Sequence, residues 1–314
     1  MCFAASVLVT THVMRIALLH EHPAWSIDLI QRAHERGIDV TPFDIGEFDF
    51  SIAGLGDGFD LWVNRVNAMP SAGRPSSIVA AAGHIVSALE LRGHRVVNGS
   101  TTHRIGGSKI AQAAMFTQLG LGSPATIGIY QPADALAAAG ALGFPVLTKP
   151  NVGGSGSGIV RHDSSVELAQ AIQAGTVDLG IDGTGVVQRI IESADGLIHR
   201  VEMLGSSFFY GTQQRLQANA FNYCAVDGCA IDGEDADGSA AITLFTPPDT
   251  VLVAAARVME AATTDVGGVE YIIDATTGEP AYYDFNPYSN FVSGFDTALG
   301  FNPIDRYLDF LLQL

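Results

Sequence analysis

The segment Lys149-Pro-Asn-Val-Gly-Gly-Ser-Gly-Ser-Gly158 places a lysine directly before a loop of four glycines and two serines. Such a loop lets backbone N–H groups approach phosphate oxygens without side-chain obstruction. The lysine ammonium adds a positive charge. The order of parts is not that of a Walker A loop, which ends in Gly-Lys-Ser/Thr. Nor is it a protein-kinase loop, whose glycines precede the lysine by a strand. An ordinary hairpin tip has the same composition, so taken alone the loop leaves both readings open.

A second constellation lies near the end of the chain. Gly268-Val-Glu-Tyr-Ile-Ile-Asp274 and Tyr283-Asp-Phe-Asn-Pro287 read as two strands joined by the turn Ala275-Thr-Thr-Gly-Glu279. Asp284 and Asn286 are two apart and share a face. Ordinary antiparallel pairing brings Glu270 beside them. A hard cation such as Mg²⁺ takes oxygen ligands of this kind and keeps phosphate oxygens and waters as the rest. A solvated sheet face reads equally well in isolation. It loses weight because these strands are otherwise apolar, and carboxylates inside them need partners.

The chain holds 14 arginines and only two lysines, Lys109 and Lys149. A lysine kept against that bias is a candidate for chemistry. Arg65 stands just beyond a short strand, where open α/β sheets bind ligands, and is a candidate for gripping an acceptor carboxylate. His20-Glu-His22 more simply ends the first strand than binds a metal. Cys224 and Cys229 have no neighbours to complete a zinc site and read as buried thiols. Asp227 to Gly238 reads as a solvated acidic loop.

Positioning these groups takes two or three compact units in 314 residues. The net charge of −17 argues against nucleic acid or an anionic membrane as a partner. No apolar run reaches the roughly 18 to 20 residues of a membrane span. Residues 1–13 lack the basic start of a signal peptide and read as an extension, which points to a cytoplasmic protein.

Residues 14–98 alternate strands (from Met14, Asp39 and Leu61, and at His94 to Val97) with helices (Ala24 to Arg36, Ser76 to Arg92), predicting an open parallel sheet. Residues 99–186 hold a helix from Ser108 to Gln118, an Ala-rich helix to Leu142, the Lys149 strand and loop, and a helix from Ser164. Residues 187–314 hold a hairpin around Gly205, a long helix from Pro248 to Asp265, the two acidic strands and a closing helix from Ile304 to Leu312.

Arg104-Ile-Gly-Gly-Ser-Lys109, the Lys149 loop, Val187-Gln-Arg-Ile-Ile191, His199-Arg-Val-Glu202, Gln213-Gln-Arg215, Val269-Glu-Tyr271 and Asp284-Phe-Asn-Pro287 follow one another in order. Over residues 95–290 this order and spacing resembles the ATP-grasp superfamily, within it the RimK-like carboxylate–amine ligases. The resemblance implies a three-subdomain ATP-grasp fold, α+β in character, behind an N-terminal α/β pre-ATP-grasp domain. It implies that Lys109 contacts the nucleotide and that Lys149 binds adenine and the α-phosphate. The loop Gly153, Gly154, Ser155, Gly156, Ser157 and Gly158 then closes over the β- and γ-phosphates. Gln188, Arg189, Ile190 and Ile191 match the linker that reads the adenine edge, with Glu192 or Asp195 on the ribose. Arg200 and Arg215 match arginines that neutralise the transferring phosphoryl group. Glu270, Asp284 and Asn286 match ligands of Mg²⁺, two ions, with Mn²⁺ an alternative. Asn222 matches a polar position near the acceptor.

The implied activity joins a carboxylate to an amine or amino acid through an acyl phosphate, releasing ADP and phosphate. An ATP-grasp kinase and a nucleotide-binding regulator are the alternatives. A homo-oligomer, dimer or tetramer, is compatible with it. Two departures stand out. The linker reads Gln188-Arg189 where the family has Gln-Glu. Glu270 and Asp284 exchange the family's acid types between the two strands, so the pair survives with a changed reach.

Overall fold

The computed structural model describes residues 13–49, 51–67, 70, 73–154, 156–216, 242–289, 291 and 296–314. The calls on Ser155, Asn222, Cys224, Cys229, the acidic loop and residues 1–12 lie outside them.

The first sheet is built from β1 (Arg15–His20), β2 (Asp39–Asp44), β3 (Leu61–Asn64) and β4 (Val96–Val97), in the order β2-β1-β3-β4 and all parallel. β1 is buried from Ile16 onward, as a strand covered on both faces must be. Helix α1 (Pro23–Glu35) covers one face and α2 (Ser77–Leu91) the other. The predicted strands and helices lie here within a few residues of their expected ends. Gly37 and Gly93 close the helices in the left-handed conformation.

Helix α3 (Ser100–Gly106) has no counterpart in the sequence reading. Its Ser-Thr-Thr-His start is poor in helix formers. Tertiary contact compensates: the Thr102 hydroxyl donates to the Ala262 and Thr263 carbonyls. Helix α4 (Lys109–Gln118) follows, capped by the Ser108 hydroxyl, which accepts from Ala111 N. The cap makes Lys109 the first helical residue.

The second sheet joins β5 (Thr126–Ile129), β6 (Val146–Pro150), β7 (Val160–His162) and β8 (Gly185–Arg189), in the antiparallel order β5-β8-β6-β7. Helices α5 (Asp134–Leu142) and α6 (Ser165–Ala174) bury their apolar faces on it.

The third sheet holds β9 (Leu197–Leu204), β10 (Ser207–Arg215), β11 (Ile242–Phe245), β12 (Val266–Ile273) and β13 (Pro280–Asn286), in the antiparallel order β11-β10-β9-β12-β13. Helix α7 (Asp249–Ala261) packs beneath it. This helix ends four residues before the expected Asp265, because Thr263 turns left-handed at φ 52° and starts β12 early. β10 forms the second strand of the hairpin around Gly205 and runs on to Arg215. Helix α8 (Asp296–Leu299) and the closing α9 (Pro303–Leu311) end the chain. Tyr307, Leu308 and Leu311 of α9 join Leu29 and Ala33 of α1 in the core under the first sheet. Arg32 of α1 and Arg36, which follows the helix, reinforce this with ion pairs to Asp305 and Asp309.

Asn98 ties the first sheet to the third. It follows β4 in the left-handed conformation, φ 54°. Its amide donates to the Val266 and Pro287 carbonyls, and its oxygen accepts from Asp265 N and Val266 N. Asp265 returns a carboxylate to Asn98 N and pairs with Arg95. All four backbone groups lose a partner if this side chain is removed. Asn98→Ala is expected to cost about 3 kcal/mol, from unpaired buried groups at roughly 1 kcal/mol or more each. Asn98→Gly, which adopts the backbone freely, is expected to cost nearly as much. Urea unfolding measures both, and a loss under about 1 kcal/mol in either variant would remove the clamp from the account.

Candidate active site

The third sheet has two unlike faces. Val201, Met203, Val269 and Phe285 point into the core with α7. The alternate positions Arg200, Glu202, Glu270, Asp284 and Asn286 occupy the other face. Register sets Arg200 opposite Glu270, and Glu270 opposite Asp284, in one row across β9, β12 and β13. Arg200 Nη1 donates to Glu270 Oε1 at 3.2 Å, and Arg200 Nε donates to Glu202 Oε1 at 2.6 Å. The Asn286 amide donates to Glu270 Oε1 at 3.3 Å.

Gly268 makes this packing possible. A Cβ there would stand 2.6 Å from Arg200 Nε and 2.9 Å from both Arg200 Nη2 and Glu202 Oε1. The guanidinium and carboxylate occupy the space that a side chain would take.

The two lysines reach this row from other elements. Lys109, at the start of α4, donates to Asp284 Oδ1 at 3.1 Å. Lys149, on β6 and only 7% exposed, donates to Gln188 Oε1 at 2.6 Å. Gln188 in turn donates to Thr126 Oγ1 at 2.9 Å. Asn151, two residues past Lys149, joins both arms. Its oxygen accepts from Ser108 Oγ and Ile110 N, each at 3.0 Å, and its carbonyl accepts from Lys109 N at 3.1 Å.

Burial pushes the Lys149 ammonium down to about 7, and the neighbouring Lys109 charge adds to this against Asp284 and Glu270. Glu270, 4% exposed, is pushed above the usual carboxyl range by burial and by Asp284, against Arg200 and Lys109. A buried carboxylate raised in this way by a neighbouring one favours a cation beside it. Among the described residues no group of three His, Cys, Asp or Glu side chains converges as a metal centre. Glu270, Asp284 and Asn286 offer oxygens of the kind a hard cation takes alongside phosphate oxygens and water.

The other expected residues divide. The described part of the glycine loop follows β6 and makes two tight turns, Ser157 N to Gly154 O and Ile159 N to Gly156 O. Gly156 and Gly158 there have φ 67° and 72°. Gln188 joins the site through its side chain. Arg189 does not: its guanidinium caps the last turn of α5 at the Leu142 carbonyl. Ile190 and Ile191 are half-buried, and Ile191 packs on the third sheet. Asp195 spends both oxygens internally, on Ser193, Leu197 and His199. Glu192 is exposed, its nearest cation Arg161 at 3.9 Å, and is the better placed of the two for a ligand. Arg215 is exposed at the end of β10 and pairs with Leu197, which gives it the parity of His199 rather than of Arg200. The structure does not bring it to the row. Arg65 is 8% exposed. Its Nη2 donates to the Trp25 carbonyl at 3.5 Å and its guanidinium lies 5.6 Å over the Phe291 ring. His20 is buried at the end of β1, and burial lowers its pKa.

Four participants carry no role in the sequence reading: Thr126, Asn151, Glu202 and Gly268. Glu202 lies two after Arg200, hence on its face. The doublet Gly267-Gly268 inside an apolar strand signals a close approach. Asn151 and Thr126 carry no such signal, because their partners are remote in sequence.

Lys149 yields a direct test. With only two lysines, ¹³C labelling at Cε gives two resolvable signals. One is expected to titrate near pH 7 and to vanish in Lys149→Met. Two signals that both titrate above pH 9.5 would contradict the buried lysine. The sign for stability follows from the same shift. The unfolded lysine holds its proton up to about 10.5, so this group's cost to the fold is full below pH 7 and fades as pH rises from there toward 10.5.

No protein-family model matches the sequence, and no curated protein matches it either. Solved structures do. A RimK-domain ATP-grasp protein from Sphaerobacter thermophilus aligns over 94% of this chain and 98% of its own, with TM-score 0.67 and 18% identity. D-alanine–D-alanine ligase from Bacillus anthracis, complexed with ATP, aligns over 96% and 97%, with TM-score 0.66 and 16% identity. The ATP-grasp ligase PsnB, complexed with a minimal precursor, aligns over 96% and 99%, with TM-score 0.65 and 15% identity. Likeness at such identities speaks for architecture alone, and over nearly the whole length it gives one answer: this chain has the ATP-grasp fold.

Proposed function

We propose that the chain is an ATP-dependent carboxylate–amine ligase. The observation that carries this is the row Arg200–Glu270–Asp284, with Asn286 and Lys109 bonded to it, Lys149 close enough to feel its charges, and no serine, threonine or cysteine among them. Phosphoryl transfer needs positioning and charge stabilisation rather than protein covalent chemistry. Two of the similar structures are named ligases, which favours amide formation over phosphorylation of a stable acceptor.

In this reading Lys149 and Gln188 hold the nucleotide, with Glu192 in reach of its ribose. The glycine loop Gly153 to Gly158 covers the phosphates and excludes water. Glu270, Asp284 and Asn286 hold Mg²⁺, which supplies positive charge to phosphate oxygens. A substrate carboxylate oxygen attacks the γ-phosphorus as its bond to the ADP oxygen breaks, giving an acyl phosphate. Arg200, fixed on two carboxylates, faces the charge that develops. The amine nitrogen then attacks the acyl carbon, the C–O bond to phosphate breaks, and the nitrogen gives up a proton to leave an amide and free phosphate. We place the enzyme in the cytoplasm, where ATP is supplied.

A coupled ADP-release screen with an amino-acid and dipeptide panel tests the reading, with mass spectrometry of the products. Turnover is expected to need both an acid and an amine and to release free phosphate. Phosphate left on a single acceptor would make the chain a kinase, and ATP binding without turnover would make it a regulator. Within the assay, Arg200→Ala is expected to lose roughly 100- to 1,000-fold in kcat.

Gly268→Ala leaves every charged group in place but puts a methyl 2.6 Å from Arg200 Nε. It is expected to lose at least about tenfold in kcat with folding intact, as displaced transition-state donors do. Wild-type kcat in the glycine variant would mean that the guanidinium's position is immaterial.

A further inference from the structure

Glu202 is 2% exposed. Its Oε1 is taken by Arg200, but its Oε2 is buried with no hydrogen-bond partner among the described residues. An unpaired buried carboxylate oxygen is costly. In a strand that places its neighbours so closely, that vacancy is a position for a ligand's donor.

The register locates it. Glu202 lies opposite Tyr210 on one side and Gly268 on the other, one row from the Arg200–Glu270–Asp284 row. In the next row, Leu204 opposes Val266, and both belong to the core under the first sheet. Glu202 thus stands between the phosphoryl-transfer row and the first sheet. From that side Arg65 feels its charge: burial lowers the Arg65 pKa, and the Tyr307 hydroxyl and the Glu202 carboxylate oppose this.

The donor that fits is cationic. An anion would meet Glu202 and Glu270 together. A metal ion would find a single unbonded oxygen on Glu202, where it takes several. An ammonium offers three N–H donors in a compact charge. We propose that Glu202 Oε2 receives the ammonium of the amine substrate, the bound nitrogen giving one proton to an acyl-phosphate oxygen before it attacks, so that the enzyme selects amines that are protonated at neutral pH. This rests on the ligase reading above and adds to it the residue that recognises the second substrate.

The test separates the two half-reactions in the intact enzyme. Hydroxylamine, neutral at pH 7.5, traps an acyl phosphate as a hydroxamate and has no ammonium to recognise. Glu202→Gln keeps an oxygen for Arg200 and turns an N–H₂ toward the amine, donor against donor. The variant is expected to lose part of its hydroxamate rate, because Glu202 also holds Arg200, and to lose at least about tenfold more with the amine. Its KM for the amine identified in the panel is expected to rise roughly 10- to 100-fold, as for one lost charge-assisted bond. Equal losses in both assays would reduce Glu202 to a holder of Arg200 and overturn the proposal, as would an unchanged amine KM. No hydroxamate from wild type with any acid would remove the ligase reading and the subsite with it. Should Glu202→Gln not fold, wild-type protein gives the same answer. The amine should inhibit hydroxamate formation at least tenfold more strongly than its analogue lacking the amino group, and equal inhibition would overturn the proposal.

Discussion

Arg200 is bonded to two carboxylates at once, and much of the molecule exists to make that arrangement tolerable. Three acidic side chains share one sheet face inside a folded protein, which is affordable only if cations meet them in good geometry. Arg200 answers Glu202 and Glu270, and Lys109 answers Asp284. The opposite face of the same strands is packed on α7, so the row is held from behind by an apolar layer. Gly268 opens the room in front of it. Remove that glycine's vacancy and the charges remain but no longer fit.

Two asparagines carry the arrangement beyond the third sheet. Asn98 bonds β4 to the start of β12, and Asn151 bonds β6 to the head of α4. Each uses an amide's ability to accept and donate at once: Asn98 satisfies four backbone groups, and Asn151 accepts from Ser108 Oγ and Ile110 N while donating to Asp182. Through Asn98 the first sheet is registered on the strand that carries Glu270. Through Asn151 the lysine of the second sheet is registered on the lysine of α4. The site is assembled from three sheets, and these side chains are what makes their spacing specific rather than merely compact.

The elements of the first two sheets were legible because periodicity and glycine punctuation act locally. Gly37 and Gly93 end helices directly after the expected Arg36 and Arg92. The Lys149 loop and the Glu270–Asp284–Asn286 set were legible because each lies within one or two strands. Arg215 and Arg189 show the limit. Their residue type and order suggested roles, but side-chain direction comes from register and from which backbone carbonyl lies within reach. Neither is written in the local sequence. Helix α3 was missed for a related reason, since its hydroxyl anchor at Ala262 and Thr263 lies some 160 residues away. Asn151 was missed because an asparagine after Lys-Pro looks like any turn residue.

Charge balance joins these observations to the proposed chemistry. Glu202, Glu270 and Asp284 oppose Arg200 and Lys109, and Lys149 titrates near neutrality. The empty constellation is therefore poised close to neutral or slightly negative, and a triphosphate brings several further negative charges. Without compensation such a ligand would be repelled by the carboxylates that line the row. Two compensations are available from the residues present. Lys149 takes up a proton as phosphate approaches, because an adjacent anion favours the ammonium that burial alone disfavours. In the proposed reading Glu270 and Asp284 would hold a divalent cation, whose charge would offset their mutual repulsion. A lysine whose pKa burial lowers and a Glu270 whose pKa burial and Asp284 raise are thus two halves of one device, costly in the free protein and relieved by the ligand.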